Sequence, residues 1–498
     1  MLFKRPIEQE LLNMRIKAGR PLTTLQFYGR ELTDWETSPA RKEMLEGDRY
    51  YMGEHDILSR KRQIIGADGK LEEVDNLPNN RIVDNQYAKH VDQKANYLLG
   101  KPITYKSENK EYAKAVTEIL GKKFMRTLRN AGTDSFNCGI SWLYPYFDKT
   151  GKLAFKYFPG YEILPFWFDT AHTELDVALR LYLVEIYYGE QRKVVKKVDV
   201  FESDGVTTYF FESGTLIPDP DAPTKRSYVT AVGKDGKEKG FNWERLPLIP
   251  IKYNAKEIPL IRRGRSLQDA INLLESNFVN GMEEDTRTTV LVLKNYDGQD
   301  LGEFRRNLAT YGAIKVRSVE GKDGGVDSLQ ITVNSENYKT ILELLKKALI
   351  ENLRSYDAKD DRLSGNPNQM NIQSMYSDID LDATMMETEL QAAFEDILWF
   401  VNTVLANSGG KSYGEEPIEV IFNRDMLINE TEAIENCSKS AGIISDETII
   451  SQHPWVSDPT AEIERVKSQK SEETQNDPYR SAFEASAKQR NGQVENEE

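Results

Sequence analysis

YKTILELLKKALIENLRSY, residues 338–356, begins the stretch of sequence that decides the fold. It is followed by DAKDDRLSGNPNQMNIQ at 357–373 and by SMYSDIDLDATMMETELQAAFEDILWFVNTVL at 374–405. In the first and third segments apolar residues recur every three or four positions, which predicts two amphipathic helices. The middle segment contains six Asp and Asn residues with a glycine and a proline, which favours an irregular loop. The second helix would be roughly 48 Å long at about 1.5 Å per residue, which indicates that it lines or spans something extended.

The long helix has a polar side that is rich in carboxylates. Asp378, Asp380, Asp382 and Glu389 lie along it, and no Lys or Arg occurs between residues 373 and 407. Two interpretations remain open. The face is either an ordinary solvated surface, or it borders a passage for a polyanion, where carboxylates would repel phosphates and prevent them from binding.

Composition indicates a chain of several compact parts. It has 498 residues with 39% hydrophobic content, a formal net charge of -15 and a pI near 5.1. No window approaches the roughly 20 apolar residues of a membrane span, and the start lacks the apolar core of a signal peptide, so we expect synthesis in the cytosol. The negative charge argues against broad attraction to nucleic acid. Cys138 and Cys437 are expected to be free thiols, which implies no oxidising compartment.

Before the decisive stretch, the periodicity changes twice along the chain. Helices are predicted from residue 82 to 99, from 108 to 120 and from 122 to 138, and aromatic and β-branched runs between 140 and 253 predict a mostly antiparallel sheet. This arrangement is an α+β domain. Ser266 and Asp269 resemble a capping box for a helix reaching about 287, and a small β-rich insert follows.

After the decisive stretch, the segment PIEVIFN at 417–423 predicts a strand, which we expect to pair with the aromatic sheet. Helices are predicted near 430–441, 446–452 and 459–469. The tail beyond residue 471 has too few apolar groups to offset the entropy of ordering, so we predict that it is disordered.

Searches for catalytic chemistry find no persuasive motif. SGGKS at 408–412 lacks the first glycine of a phosphate-binding loop, and the four histidines have no ligand spacing. Asp378, Asp380, Asp382 and Glu389 match positions 1, 3, 5 and 12 of a calcium loop, but Ala383 stands where the turn needs glycine. We predict a continuous helix, no metal, no cofactor and no enzymatic activity.

Several sequence blocks resemble a known family. They are RYYMGEHDI at 49–57, HVDQKANYLLGKPI at 90–103, VLKNYDG at 292–298, IKV at 314–316 and GGVDSL at 324–329. In their order and spacing, with EF at 303–304 and NL at 307–308, they are similar to portal proteins of tailed double-stranded DNA bacteriophages with long non-contractile tails, the siphovirus type. The resemblance extends from about residue 45 to 465.

The resemblance implies a multidomain α+β portal fold that assembles into a ring, expected to be a dodecamer. It divides the chain as follows: N-terminal segment 1–44; α+β wing 45–262; first stem helix 263–287; β-rich clip 288–334; second stem helix 335–356; tunnel loop 357–373; tunnel helix 374–406; return strand to the wing 407–429; crown helices 430–470; disordered tail 471–498.

The function that the resemblance implies is a conduit at one capsid vertex, where a terminase packages double-stranded DNA that later leaves by the same route. Expected partners are other copies of the chain, the terminase large subunit, a head-tail adaptor, the major capsid and scaffolding proteins and the passing DNA, with no membrane. The location would be the virion, after synthesis in the host cytoplasm.

The resemblance also assigns candidate site residues. DNA contacts from the tunnel loop are expected at Lys359, Arg362, Asn366, Asn368, Gln369 and Asn371. The channel-lining acidic face would hold Asp378, Asp380, Asp382 and Glu389. Terminase or adaptor docking at the clip is expected at Asn295, Tyr296, Asp297, Arg305, Arg306, Lys322 and Asp323.

Two alternatives stay open at this point. One is a structural head-tail adaptor or scaffold protein that never contacts DNA. The other belongs to a different class, a metal-dependent nuclease that would use Asp360, Asp361 and the aspartates of the long helix, although no histidine accompanies them.

Overall fold

The helices and strands alternate along the chain in a mixed α and β arrangement. The computed structural model describes residues 23–65, 69–75, 77–222, 224–232, 238–285, 290–294, 300, 302, 325–329, 335–359, 368–408, 412–414, 416–424, 429–456 and 459–475. The described α-helices are α1 Thr24–Glu36, α2 Pro39–Tyr51, α3 Gln86–Leu99, α4 Lys110–Ile119, α5 Lys122–Cys138, α6 Ile261–Asp285, α7 Ser335–Asn352, α8 Gln369–Asn407, α9 Glu430–Ser440, α10 Asp446–Gln452 and α11 Pro459–Gln475.

The described strands form small antiparallel sheets. Their bounds are β1 Gln63–Ile65, β2 Leu71–Glu73, β3 Thr104–Lys106, β4 Ile140–Phe147, β5 Leu153–Phe158, β6 Ile163–Trp167, β7 Leu175–Tyr188, β8 Gln191–Glu202, β9 Gly205–Glu212, β10 Thr215–Pro218, β11 Val229–Val232, β12 Glu238–Phe241, β13 Ile249–Lys252, β14 Val290–Lys294, β15 Gly325–Leu329 and β16 Glu419–Ile421. The largest sheet has the order β10-β9-β8-β7-β6, and a three-stranded sheet has the order β13-β4-β5. The antiparallel sheet predicted between residues 140 and 253 is therefore present as these two sheets and a separate two-stranded sheet of β11 and β12.

Helix α1 covers one face of the five-stranded sheet. Thr23 begins it with a reciprocal capping box in which its hydroxyl accepts from the Gln26 N–H and the Gln26 side chain accepts from the Thr23 N–H. Its apolar side enters a core with side chains of β6 to β10. The buried members contributed by α1 are Phe27, Tyr28, Leu32 and Trp35.

A sharp reversal follows α5. Gly139 ends the helix with a φ of +82°, a left-handed conformation that glycine adopts readily. A Cβ built there would lie 2.2 Å from the carbonyl oxygen of Glu257. The chain can therefore pass directly from α5 into β4, whose Trp142 is fully buried and stacks on Trp167 with ring centroids 5.7 Å apart.

Helices α6 and α7 pack side by side. Phe278 and Tyr338 touch with ring centroids 5.0 Å apart, and Lys346 of α7 forms an ion pair with Glu275 of α6 at 3.3 Å. Near the start of α6, a Cβ on Gly264 would lie 2.8 Å from Leu353 Cδ2, so the glycine permits close approach at that end.

The predicted start of α6 is wrong. Ser266 is an interior residue because the helix already begins at Ile261, directly after Pro259 and Leu260. The N–H groups of Arg262 and Arg263 bond to the carbonyl oxygens of those two residues at 3.3 and 3.0 Å. Asp269 does not cap the helix; its carboxylate accepts from the Tyr50 hydroxyl at 2.6 Å.

The predicted start of the long helix is also wrong. Helix α8 has 39 residues and begins at Gln369, five residues before Ser374. Asn368 explains the difference, because its side-chain oxygen accepts from the Asn371 N–H at 2.8 Å and caps the first turn. Asparagine favours loops, but it also caps the first turn of helices well. The continuous helix predicted through residues 378–389 is confirmed.

The strand after α8 pairs with a different partner from the one predicted. β16 pairs with β3, which follows α3, and not with the aromatic sheet. Side chains extend the pairing beyond the backbone: Asn423 donates to the Pro102 carbonyl oxygen at 2.7 Å, and Ser107 donates to the Pro417 carbonyl oxygen at 2.8 Å.

The described residues fall into two compact units. One holds those up to Ser355 and those between Asp378 and Asp425; the other holds those between Tyr356 and Ser377 and those after Met426. In the second unit α9, α10 and α11 match the three predicted helices, but α11 continues to Gln475, so residues 471–475 are helical where a disordered tail was predicted. The rest of that tail lies outside the described residues.

Candidate nucleic-acid interface

The four predicted face residues of α8 do not share one environment. Asp378 is exposed, Asp380 and Glu389 are half-buried, and Asp382 is 1% exposed. The prediction that Asp382 lies on an open face is therefore wrong. Its carboxylate points into the first unit, where three cationic residues from other helices or helix ends surround it.

Asp382 is the centre of a buried ionic cluster. Its Oδ2 accepts from Lys94 Nζ of α3 at 2.7 Å and from the Tyr253 hydroxyl at 2.8 Å, and Arg263 Nη1 of α6 lies 3.3 Å from its Oδ1. Arg354, just after α7, lies 3.8 Å from Oδ1. A buried carboxylate without such partners would destabilise the fold by several kcal/mol.

Burial also changes the proton affinity of this cluster. It lowers the pKa of the Lys94 ammonium to about 8, although the neighbouring carboxylate of Asp382 acts in the opposite direction. Burial together with the Asp382 charge raises the pKa of the Tyr253 hydroxyl. The phenol is therefore a hydrogen-bond donor at neutral pH, as the geometry requires.

A further cation contacts the other side of α8. Arg424, in the segment after β16, bonds to the Asp380 carboxylate and to Glu387 Oε2 at 2.7 Å. The Tyr97 hydroxyl of α3 donates to Asp380 Oδ1 at 2.7 Å. Further along, Arg245 pairs with Asp396 at 2.9 Å. Much of the acidic character of the helix is thus neutralised within the chain.

The face of α8 that remains exposed within the chain is mostly neutral. Between residues 378 and 395 its exposed side chains are Asp378, Leu381, Thr384, Met385, Thr388, Ala392 and Glu395. We call these seven residues the exposed stripe. Carboxylates stand only at its two ends, and it contains no Lys or Arg. The seven residues themselves therefore include no cation that could bind a phosphate strongly, and the cations beside them are Arg354 at Met385 and Arg424 at Thr384.

The predicted loop residues are only partly described. Lys359 is exposed, whereas Arg362 and Asn366 lie outside the described residues. Asn368 and Gln369 are engaged within the second unit: Asn368 caps α8, and Gln369 Oε1 accepts from the Asn429 N–H at 3.0 Å. Asn371 is exposed on the first turn of α8, so it belongs to the helix rather than to the loop.

The predicted docking residues of the insert lie outside the described residues. They are Asn295, Tyr296, Asp297, Arg305, Arg306, Lys322 and Asp323. Of that region the structure describes β14 and β15, which pair in antiparallel register from Val290–Leu329 to Lys294–Gly325.

Sequence reasoning missed the cations that surround α8. Lys94 and Tyr97 stand in the HVDQKANYLLGKPI block, which was used for its resemblance and not for its charge. A signal did exist: a long helix with many carboxylates and no cation of its own needs cations from elsewhere wherever it is buried.

Two further findings concern sites of other kinds. Across the described ranges, no group of three or more His, Cys, Asp and Glu side chains is placed to hold a metal ion. No helix in the same part of the chain is both long enough and apolar enough to cross a lipid bilayer.

Comparison with known proteins identifies the family. The family model described as "Phage portal protein, SPP1 Gp6-like" matches residues 36–476. The portal protein of Bacillus phage SPP1 is 28% identical over 431 residues, which cover 85% of this chain and 83% of that protein. The portal protein of Clostridium phage phiCD119 is 27% identical over 430 residues, covering 84% of this chain and 90% of the relative. The chain therefore belongs to the SPP1 Gp6-like family of phage portal proteins.

Proposed function

We propose that this protein forms a ring through which double-stranded DNA enters and leaves a phage capsid, with the exposed stripe of α8 facing the passage. The observation that carries the proposal is the absence of Lys and Arg from a 39-residue helix whose buried carboxylates are already neutralised within the chain. A surface that thousands of phosphates must pass should bind each of them weakly, because every strong cation contact would have to be broken again.

The exposed apolar side chains support assembly with other copies. Tyr187 is 73% exposed, Leu344 is 62% exposed, and Ile443 and Trp455 in the second unit are 81% and 75% exposed. Apolar groups of this size usually become covered when a protein meets its partner. A closed ring supplies such cover repeatedly, because each subunit presents the same two surfaces to its neighbours.

Contacts with DNA are proposed at exposed residues that precede the stripe in the sequence. Lys359 and Asn371 are available for brief contacts with phosphates. Arg362 and Asn366 stay in the proposal from the sequence alone. Asn368 and Gln369 are less suited to the role, because their side chains already serve hydrogen bonds within the second unit.

The surrounding roles follow from the same proposal. A terminase would drive the DNA inward, an adaptor would dock on the clip residues, and capsid and scaffolding proteins would hold the ring at one vertex. The chain would take no catalytic part. Twelve copies of 57.0 kDa would have a mass of about 680 kDa, which mass photometry of the purified protein can test directly.

The role of the exposed stripe is tested by adding cations to it. The double variant Asp378→Lys with Thr388→Lys keeps the buried cluster intact and should form rings of unchanged mass. We expect its packaging rate, measured as DNA protected from nuclease inside capsids over time, to fall by roughly an order of magnitude, because each new ammonium binds phosphate.

Glu72→Lys on the exposed β2 strand is the matched control and should package DNA at the normal rate. Rings of the double variant that package as fast as the wild type would show that the stripe does not face the DNA. If the purified wild-type protein forms only particles with a mass too small for a ring, the proposal as a whole is contradicted.

A further inference from the structure

The three points at which the chain passes between its two units share a feature. The passages follow Ser355, Ser377 and Asp425. Within the first unit, a residue close to each passage is bonded to helix α3 or to the turn directly after it. The residues of α3 and this turn that make these bonds are Lys94, Tyr97 and Lys101, which follow one another at helical spacing.

The ammonium group of Lys94 bonds to residues near the first two points where the chain passes between the units. Nζ donates to the carbonyl oxygen of Arg354 at 2.9 Å and to Asp382 Oδ2 at 2.7 Å. Arg354 lies just after α7 in a left-handed conformation with a φ of +50°. This conformation is unfavourable for an arginine, so contacts with its surroundings must offset its energy. The same nitrogen thus holds the end of α7 and the part of α8 that follows the second passage.

Tyr97 and Lys101 continue the arrangement. The Tyr97 hydroxyl donates to Asp380 Oδ1 at 2.7 Å, one turn after the second passage. Lys101 Nζ donates to the Arg424 carbonyl oxygen at 3.3 Å, just before the third passage, while the Arg424 guanidinium itself reaches Glu387 on α8. Lys94 is 2% exposed, whereas Lys101 is exposed, so the strength of the three bonds should decrease from Lys94 to Lys101.

We propose that Lys94, Tyr97 and Lys101 are positioning residues that fix the chain at its three exits from the first unit and so hold residues 378–384 of α8 in place. These residues act through Arg354, Asp380, Asp382 and Arg424. The proposal about the exits stands on these contacts alone. Its consequence for DNA passage rests on the proposed function, since α8 matters to DNA only if it faces the channel.

The experiment is hydrogen–deuterium exchange on the full-length protein, with Lys94→Met as the main variant. Lys89→Met is the matched control, because Lys89 is an exposed lysine of the same helix. We expect the amides of 378–384 in the Lys94→Met protein to exchange about tenfold faster, while those of β6 to β9 change by less than about twofold. The control should leave both regions unchanged.

A milder variant covers the case in which Lys94→Met fails to fold. Tyr97→Phe removes a single hydroxyl and should accelerate exchange between residues 377 and 384 by roughly threefold. Tyr187→Phe is its control, since that tyrosine is 73% exposed on β7. Unchanged exchange at residues 378–384 in both variants, or a uniform increase across the whole chain, would overturn the proposal.

DNA packaging by the same variants separates the two proposals. Faster exchange at 378–384 with slower packaging supports both the positioning role and the channel. Faster exchange with normal packaging supports the positioning role and contradicts the placement of α8 along the DNA.

Discussion

Helix α8 and the pair α9 and α10 bury their side chains very differently. From Ile379 to Val401, α8 places a fully buried residue on nearly every turn, among them Met386, Leu390, Phe394 and Phe400. Helices α9 and α10 bury no residue at all in the part of the chain described. Both regions have helical periodicity, so the pattern shows which face is apolar but not whether the chain itself supplies a partner for that face.

The difference implies different sources of stability. Packing of its apolar face stabilises α8, whereas α9 and α10 depend on local interactions such as their N-terminal caps at Asn429 and Ser445. Three variants, in order of decreasing effect on stability, test this contrast.

The largest effect is expected at Phe394. Its ring is 1% exposed and contacts those of Phe422 and Phe124 at centroid distances of 5.6 and 6.1 Å. Phe394→Ala should lower the free energy of unfolding by about 3–5 kcal/mol, because it leaves a cavity in a packed core. Denaturant titration measures this. Phe168→Ala, at a ring 50% exposed, should cost far less, and similar losses for the two variants would contradict the contrast.

A smaller effect of opposite sign is expected at Asp134 of α5. Burial raises the pKa of its carboxyl to about 7, and the charges of Asp48 and Glu162 act in the same direction. The folded protein therefore holds this proton more tightly than the unfolded chain, so stability decreases as the pH rises from about 4 to 7. Asp134→Asn removes the charged form and should raise the free energy of unfolding at pH 8 by roughly 2 kcal/mol.

The measurement is a series of denaturant titrations between pH 4 and 8. Asp134→Asn should match the wild type near pH 4 and exceed it progressively above pH 5. Asp148→Asn, on the turn between β4 and β5, provides the control and should leave the slope over this interval unchanged, because hydrogen bonds to Thr150 and Lys152 lower its pKa. Equal slopes for Asp134→Asn and the wild type would show that the buried carboxyl does not titrate there.

The smallest effect is expected at the start of α10. The Ser445 hydroxyl accepts from the Thr448 N–H at 3.3 Å, so Ser445→Ala should cost about 1 kcal/mol of local stability. Faster amide exchange confined to residues 446–452 would report it. Ser438→Ala, at an exposed position inside α9, should be neutral or slightly stabilising because alanine is the better helix former. A global loss of stability for Ser445→Ala would mean that α10 has a packing partner.

Much of the secondary structure followed from the sequence because it depends on local periodicity. The helices near 110–119, 122–138 and 430–440 needed only their apolar spacing and caps. The start of α8 was misplaced because Asn368 favours a loop and a helix cap equally well. Long-range pairing was harder to predict, because the apolar pattern of PIEVIFN does not specify which strand lies beside it, and its partner β3 is about 315 residues away along the chain.

The sequence nominates α8 for the candidate interface, but it does not show which carboxylates of the helix are exposed. The lack of Lys and Arg in α8 can be read directly, and it underlies the proposed channel face. The burial of Asp382 cannot, because helical spacing places Asp378 and Asp382 on neighbouring turns of similar polarity. Their environments differ because Lys94, which is 288 residues away along the chain, approaches Asp382 together with Tyr253, Arg263 and Arg354.

Gly264 has a mechanical consequence for the helix pair. It lies in the first turn of α6, where Leu353 occupies the space that a Cβ would need, and the whole of α6 has 25 residues, about 37 Å. The methyl group of an alanine at this position would push the base of α6 away from Leu353 and tilt the helix. This tilt would displace the distant end of α6 several times more than the base. The absence of a Cβ at Gly264 therefore controls the position of the distant end of the helix.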